Sequence, residues 1–285
     1  MSAENTWMHR NARPLDLARW RYLHHQAKAQ EVLNALSAYQ NPDGGFGHAL
    51  EPDSFSPHSS PIQTWAATQI LRELKLYDEH IPLVKGLADY LMKTSQEGLW
   101  PAQTPETNDH PHAQWWRYSA ETAFWGYNLS ASLLGYLLRL EKAVEPAIEQ
   151  ALAVFLKQDQ PEMHELRNWM DLYSDLKRSS WDGAVITRMK HRIQEDLAKL
   201  IETDEEKWAG YSCRPSTLLT GDNREFHPPF KELIQGEKEY IRKTQLADGS
   251  WGIPWHWDAF PEAFALSQQW WKSHQIIVYT RFTRL

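Results

Sequence analysis

One short pattern, written three times, constrains this chain more than anything else in it. It reads Tyr39-Gln40-Asn41-Pro42-Asp43-Gly44-Gly45-Phe46-Gly47, then Ser95-Gln96-Glu97-Gly98-Leu99-Trp100, then Thr244-Gln245-Leu246-Ala247-Asp248-Gly249-Ser250-Trp251-Gly252. The stretch before each copy carries apolar residues at helical spacing: Val32, Leu36 and Tyr39; Val84, Leu87 and Leu91; Leu233, Ile234 and Ile241. Each copy therefore closes a helix. Glycine takes the left-handed conformation such a closure needs, the aromatic two residues beyond Gly44, Gly98 and Gly249 folds back, and the Gln is long enough to bond loop backbone. A unit repeated with one physical logic implies stacked helical hairpins. A fourth copy, Ala147 to Gln158, keeps helix and Gln but has lost the glycine-aromatic turn.

Helical patterns run over about 14–24, 27–40, 62–75, 81–95, 129–141, 144–158, 162–176, 183–202, 230–246, 260–272 and 274–283, with ends uncertain by ~2–4 residues. Several start at a proline (Pro14, Pro61, Pro82, Pro161, Pro261), whose missing N–H has no partner in a first turn anyway. No period-2 strand competes. The reading is an all-α chain, residues 1–285 as a single domain, folded as one (α/α) toroid or barrel of repeated helical hairpins, because no glycine-serine or charged linker divides it. The longest non-helical stretches, 41–61, 97–118 and 203–229, are where function is expected.

The formal charge of −7 and the lack of a Lys-Arg cluster exclude nucleic acid as the expected partner. No stretch approaches the ~20 apolar residues of a membrane span, and Met1 to Arg13 carries no apolar leader, so a cytoplasmic protein is expected. The lone Cys213 excludes an internal disulfide. Fifteen tryptophans, several paired or near loops, suit a packed core or an aromatic-lined pocket.

The order helix, Gln, two or three residues, Asp-Gly, one residue, Trp or Phe, Gly resembles the glutamine-tryptophan motif of squalene and hopene cyclases, whose α/α-toroid is shared by protein prenyltransferase β subunits. The resemblance is strongest at 27–47, 83–100 and 230–252. A small bacterial branch is similar to the chain in Asn11-Ala12-Arg13-Pro14-Leu15-Asp16 and Gly45-Phe46-Gly47-His48-Ala49-Leu50-Glu51-Pro52-Asp53. The resemblance implies a toroid with a central cavity. It does not carry over a known active site: the Asp-any-Asp-Asp acid of class II cyclases, the Asp-rich helix of class I synthases and the zinc-binding Asp-any-Cys of prenyltransferases are all missing. No cofactor is expected.

Three constellations could carry chemistry. His48, Glu51 and Asp53 share one short loop after the first repeat turn, and two neighbouring carboxylates that repel can leave one protonated as a general acid, with His48 orienting it. The alternative is that Glu51 or Asp53 caps a helix or pairs with Arg13. Trp255, His256, Trp257 and Asp258 follow the third turn, the equivalent loop, and could face the first across a cavity mouth. Alternatively these tryptophans plug the ring and Asp258 caps the helix starting at Pro261. Trp115, Trp116, Glu121 and Trp125 could line the same opening. Histidines 110, 112, 227 and 256 lack a metal-ligand spacing, so no metal is expected. Glu202 to Glu206 reads as a solvated acidic loop.

These residues support a terpenoid cyclase-like or isoprenoid-binding protein with a Trp-rich cavity and a carboxylate acid/base loop. A carbohydrate-active (α/α)-barrel enzyme is the enzymatic alternative, and a non-catalytic binding or scaffold toroid the third. The expected partner is an isoprenoid-like small molecule or a sugar.

Overall fold

A computed structural model describes residues 2–285. Among the described residues there is no named strand, and twelve α-helices follow in order: α1 (Ala3–Asn11), α2 (Pro14–Leu23), α3 (Ala29–Leu36), α4 (Pro61–Glu73), α5 (Pro82–Thr94), α6 (Ser130–Arg139), α7 (Glu145–Phe155), α8 (Met163–Leu176), α9 (Gly183–Leu200), α10 (Pro215–Leu218), α11 (Lys231–Thr244) and α12 (Pro261–Thr283).

Three elements differ from the periodic reading. Helix α1 has no apolar stripe, since its two buried residues, Trp7 and Met8, are adjacent; it starts because Ser2 Oγ accepts from Asn5 N at 3.3 Å. Helix α12 is continuous where two helices are expected: Ser273, at the supposed break, is a buried helical residue, and its hydroxyl donates within the helix to Gln269 O at 3.2 Å. The short α10 stands in the stretch read as loop over 203–229.

Contacts divide the chain into two compact units, Met1–Ala38 with Ile201–Leu285, and Tyr39–Leu200. The first is assembled from both ends of the chain, so no linker composition could mark it. In it α2 packs on α3 and α12, and α10 on α11 and α12. In the second, α6 is the hub, touching α4, α7 and above all α8, which carries α9 on another side. Gly135 permits that approach: a Cβ there would lie 3.1 Å from Leu172 Cα and 2.6 Å from Asp175 Oδ2.

The first and third turns are near-identical, and the second, shorter one shares their left-handed glycine and folded-back aromatic. Gly44, Gly98 and Gly249 have φ of +89°, +83° and +92°. Gln40 Nε2 donates to Gly44 O at 2.9 Å, and Gln245 Nε2 to Gly249 O at 3.1 Å. Asp43 Oδ1 accepts from Gly45 N at 3.0 Å, and Asp248 Oδ1 from Ser250 N at 2.9 Å. The tryptophans fold back as their spacing implies, with Trp100 Nε1 donating to Leu91 O at 3.0 Å and Trp251 Nε1 to Ile241 O at 2.8 Å. Phe46, which has no such donor, is fully buried.

Each turn also seats on the first turns of another helix. Gln40 reaches Leu83 O on α5 at 2.9 Å, and a Cβ on Gly44 would strike Gly86 O at 2.1 Å. A Cβ on Gly98 would meet Ala147 Cβ on α7 at 2.4 Å. Gln245 reaches Glu4 Oε1 on α1 at 2.7 Å, and a Cβ on Gly249 would meet Ala3 C at 2.4 Å. The glycines serve conformation and close approach together, so the turn is a clip. In the degraded fourth copy Gln158 instead donates to Glu165 Oε1 at 3.2 Å.

Candidate functional site

In the unit Tyr39–Leu200 the first clip leads directly into the loop bearing His48, Glu51 and Asp53. His48 and Ala49 are consecutive non-glycine residues with left-handed backbone, φ +60° and +58°, a conformation that persists only where its surroundings enforce it. Those surroundings are hydrogen bonds. Gln63, near the start of α4, accepts from Glu51 N at 3.0 Å and donates to Ser54 O at 2.9 Å. Gln103 donates to Ser54 Oγ at 3.1 Å and accepts from Thr107 Oγ1 at 2.8 Å. Ala113 N and Phe55 N complete the join, donating to Asp53 O and Pro111 O, both at 2.9 Å. The loops 48–60 and 100–113 thus form one rigid platform.

Within it Glu51 and Asp53 are 5% and 2% exposed, and Glu51 Oε2 accepts from Asp53 N at 2.8 Å. His48 is exposed, and its Nε2 meets Asn41 Oδ1 at 2.9 Å. Beyond the platform, Trp116 is buried and stacks at 5.2 Å and 11° on Trp125. Trp116 Nε1 has no hydrogen-bond partner among the described residues. Trp125, Trp115 and Phe124 are 37%, 36% and 40% exposed, and Glu121 is exposed too.

Trp255, His256, Trp257 and Asp258 belong to the other unit. Trp257 is buried, its ring at 5.5 Å from that of Phe264, and Trp255 meets Trp271 edge-on at 5.2 Å. Asp258 does not cap α12, which has no side-chain cap; it pairs instead with His256 Nε2 at 2.6 Å in an exposed loop. His112 Nδ1 lies 2.7 Å from His110 O and His227 Nε2 2.9 Å from Thr220 O, and burial holds the His227 pKa below 6.5. Among the described residues no group of three or more His, Cys, Asp or Glu is placed to hold a metal, and no helix is long and apolar enough to cross a membrane.

A polar ladder across α4, α6 and α8 went unread in the sequence. In the first rung Trp65 Nε1 donates to Asn168 Oδ1 at 2.7 Å, and Asn168 Nδ2 to Asn128 Oδ1 at 2.8 Å. One turn on, Gln69 Nε2 donates at 3.1 Å to both Ser132 Oγ and Asp171 Oδ2, and Ser132 Oγ donates to Asp171 Oδ2 at 2.8 Å. In the third, Arg72 donates to Asp175 Oδ2 at 2.6 Å and Ser132 O at 2.7 Å, while Arg139 lies 3.7 Å from Asp175 Oδ1 and over the Tyr77 ring at 4.2 Å. Trp65, Gln69 and Asp171 are half-buried, whereas Asp175 is wholly buried. Burial pushes the Asp175 carboxyl up against the pull of Arg72; burial likewise opposes the Arg72 charge, which Asp175, Asp171 and Tyr77 nonetheless hold protonated. The available signal was spacing: 65, 69, 72 and 168, 171, 175 each recur every three or four residues, on helices where that face reads as ordinary solvated surface.

No protein-family model matches the chain, and no curated protein matches it in sequence.

Proposed function

We propose that this chain is a carbohydrate-active protein on an (α/α) toroid, kin in architecture to squalene and hopene cyclases and protein prenyltransferase β subunits. The toroid reading rests on the clips, which seat the turn 39–47 on α5, the turn after α5 on α7 and the turn after α11 on α1. The carbohydrate reading rests on one observation: the first two rungs of the ladder leave an indole (Trp65), two amides (Asn128 and Gln69) and a carboxylate (Asp171) half-buried in one row. The row continues from Asn128, three residues beyond the exposed, stacked Trp125. Aromatic faces take up the apolar side of a pyranose, and convergent amides and carboxylates bond its hydroxyls. An isoprenoid has nothing to offer those groups, and burying them against hydrocarbon is unfavourable.

The test is a native mass spectrum of the purified chain beside its denatured spectrum and an extract, followed by binding of soluble oligosaccharides to Trp125→Ala and Gln69→Ala. A co-purified or titratable sugar, lost in both variants while folding is retained, is expected. A prenyl lipid in the extract, or sugar binding indifferent to both substitutions, overturns the reading.

Acid chemistry on an isoprenoid at Glu51 or Asp53 is a second reading. Two buried carboxyl groups under a strained backbone pair favour it, since such strain collects at functional sites. It requires that Glu51→Gln abolish turnover of an isoprenoid in a chain that still folds.

A further inference from the structure

The third clip carries a feature the first lacks. Beside it, within the unit that holds both chain ends, a cleft of about 380 Å³ opens between α1 and α12, with Asp248 of the clip on its wall. Arg10 in the last turn of α1 and Lys272 on α12 both line it, with Gln269 one turn before Lys272 on the same helix face and Asn11 beside Arg10. Neither cation forms an ion pair among the described residues. Asp248 is already engaged: its Oδ1 accepts from Ser250 N at 2.9 Å and Ser250 Oγ at 2.7 Å, and these bonds, helped by the nearby Lys272 charge, hold its pKa below 3.8. Asn11 has given one N–H to Trp7 O at 3.0 Å and keeps the other.

The first clip is an internal control. The corresponding groove there is about 280 Å³, and its charged lining is Asp43 and Asp89, with no cation. The cations at the third clip are therefore no requirement of the clip. They line one cleft in which two cations face a single lining carboxylate, Asp248, in a chain of net charge −7.

The geometry points to a phosphate-binding cleft: Arg10 and Lys272 grip a phosphate group, with Gln269 and Asn11 supplying neutral N–H donors. A guanidinium presents a fork matched to two phosphate oxygens, and an ammonium adds a second charge. The cleft is roomy enough for orthophosphate or for a phosphate monoester with its substituent. The assignment is independent of the carbohydrate reading.

Isothermal titration calorimetry of the full chain with inorganic phosphate, at constant ionic strength, tests it. Saturable binding is expected, weakened about tenfold or more in each of Arg10→Ala and Lys272→Ala. Asp248→Asn is the discriminating variant: it removes the opposing charge while its amide oxygen still accepts from Ser250, so binding tightens. Glycerol 3-phosphate in the same titration separates monoester from free phosphate by which binds more tightly. Unfolding temperatures in phosphate-free buffer establish that the variants fold. Absence of saturable binding to either compound, indifference to both cation substitutions, or weaker binding in a folded Asp248→Asn overturns the proposal.

Discussion

Replacing Asp175 by alanine isolates what the closed end of the polar ladder contributes. Asp175 is 0% exposed, and its Oδ2 accepts from Arg72, whose own side chain is 12% exposed. A guanidinium does not deprotonate, so Asp175→Ala leaves a buried cation without its ion-pair partner, supported by Ser132 O at 2.7 Å, the Tyr136 ring at 5.5 Å and the charge of Asp171. Removing one member of a buried ion pair costs about 3–5 kcal/mol, most of it for the uncompensated charge. Arg139, at 23% exposed, can turn to water and adds little. With a urea slope near 3 kcal/mol/M, the unfolding midpoint of Asp175→Ala falls by roughly 1–1.7 M. Tryptophan fluorescence follows the transition, since Trp65 and Trp169 lie on the affected α4 and α8, and hydrogen exchange localises the loss to α4, α6 and α8. The double variant Arg72→Met, Asp175→Leu separates charge from packing, because an apolar pair of similar volume restores most of the stability. A single variant within about 1 kcal/mol of the parent would refute the claim that the pair is desolvated. A double variant as unstable as the single would mean that packing around Gly135, and not charge, sets the loss.

Three further outcomes follow from named contacts. Gly44→Ala forces a side chain into a +89° backbone and onto Gly86 O, so a thermal melt shows a loss of at least ~1–3 kcal/mol, whereas Gly183→Ala, whose Cβ meets nothing within 4 Å, leaves stability unchanged or slightly raised. Trp251→Phe keeps most of the ring but removes the Nε1 donor from Ile241 O, lowering stability in denaturant melts by about 1–3 kcal/mol, and Trp100→Phe does the same through Leu91 O. Glu165 has its pKa raised above 4.5 by burial, against bonds from Trp169 and Gln158 that lower it. The folded chain therefore binds more protons than the unfolded one between pH 4.5 and the raised value, its stability falls as pH rises through that window, and Glu165→Gln removes that slope from a series of melts.

The readable part of the candidate site was the part made of local chemistry. Glu51, Asp53 and His48 stand out because three ionisable residues crowd one loop, and Trp115, Trp116 and Trp125 because large rings are rare in loops. What sequence could not convey was that Gln63 and Gln103, remote from that loop, tie it down, or that both carboxylates are buried. Asp258 shows the converse error: a carboxylate just before a proline-led helix is a reasonable cap, yet His256 two residues away takes it. The ladder was invisible because Gln69, Ser132 and Asp171 lie on three helices, and polar residues on a helix face look alike whether they meet water or each other.

By itself the sequence determined the repeated turn, since its glycines, Gln and aromatic act within about ten residues of one another and need no partner beyond their own helix. It also determined that the chain is helical, because periodic apolar stripes and proline starts are local too. Tertiary structure alone decided that each turn would seat on a distant helix, that α1 would be held by a Gln 241 residues away, and that both chain ends would build one unit. Those outcomes depend on which surfaces meet, and pairwise contact between remote segments leaves no periodic trace in either one.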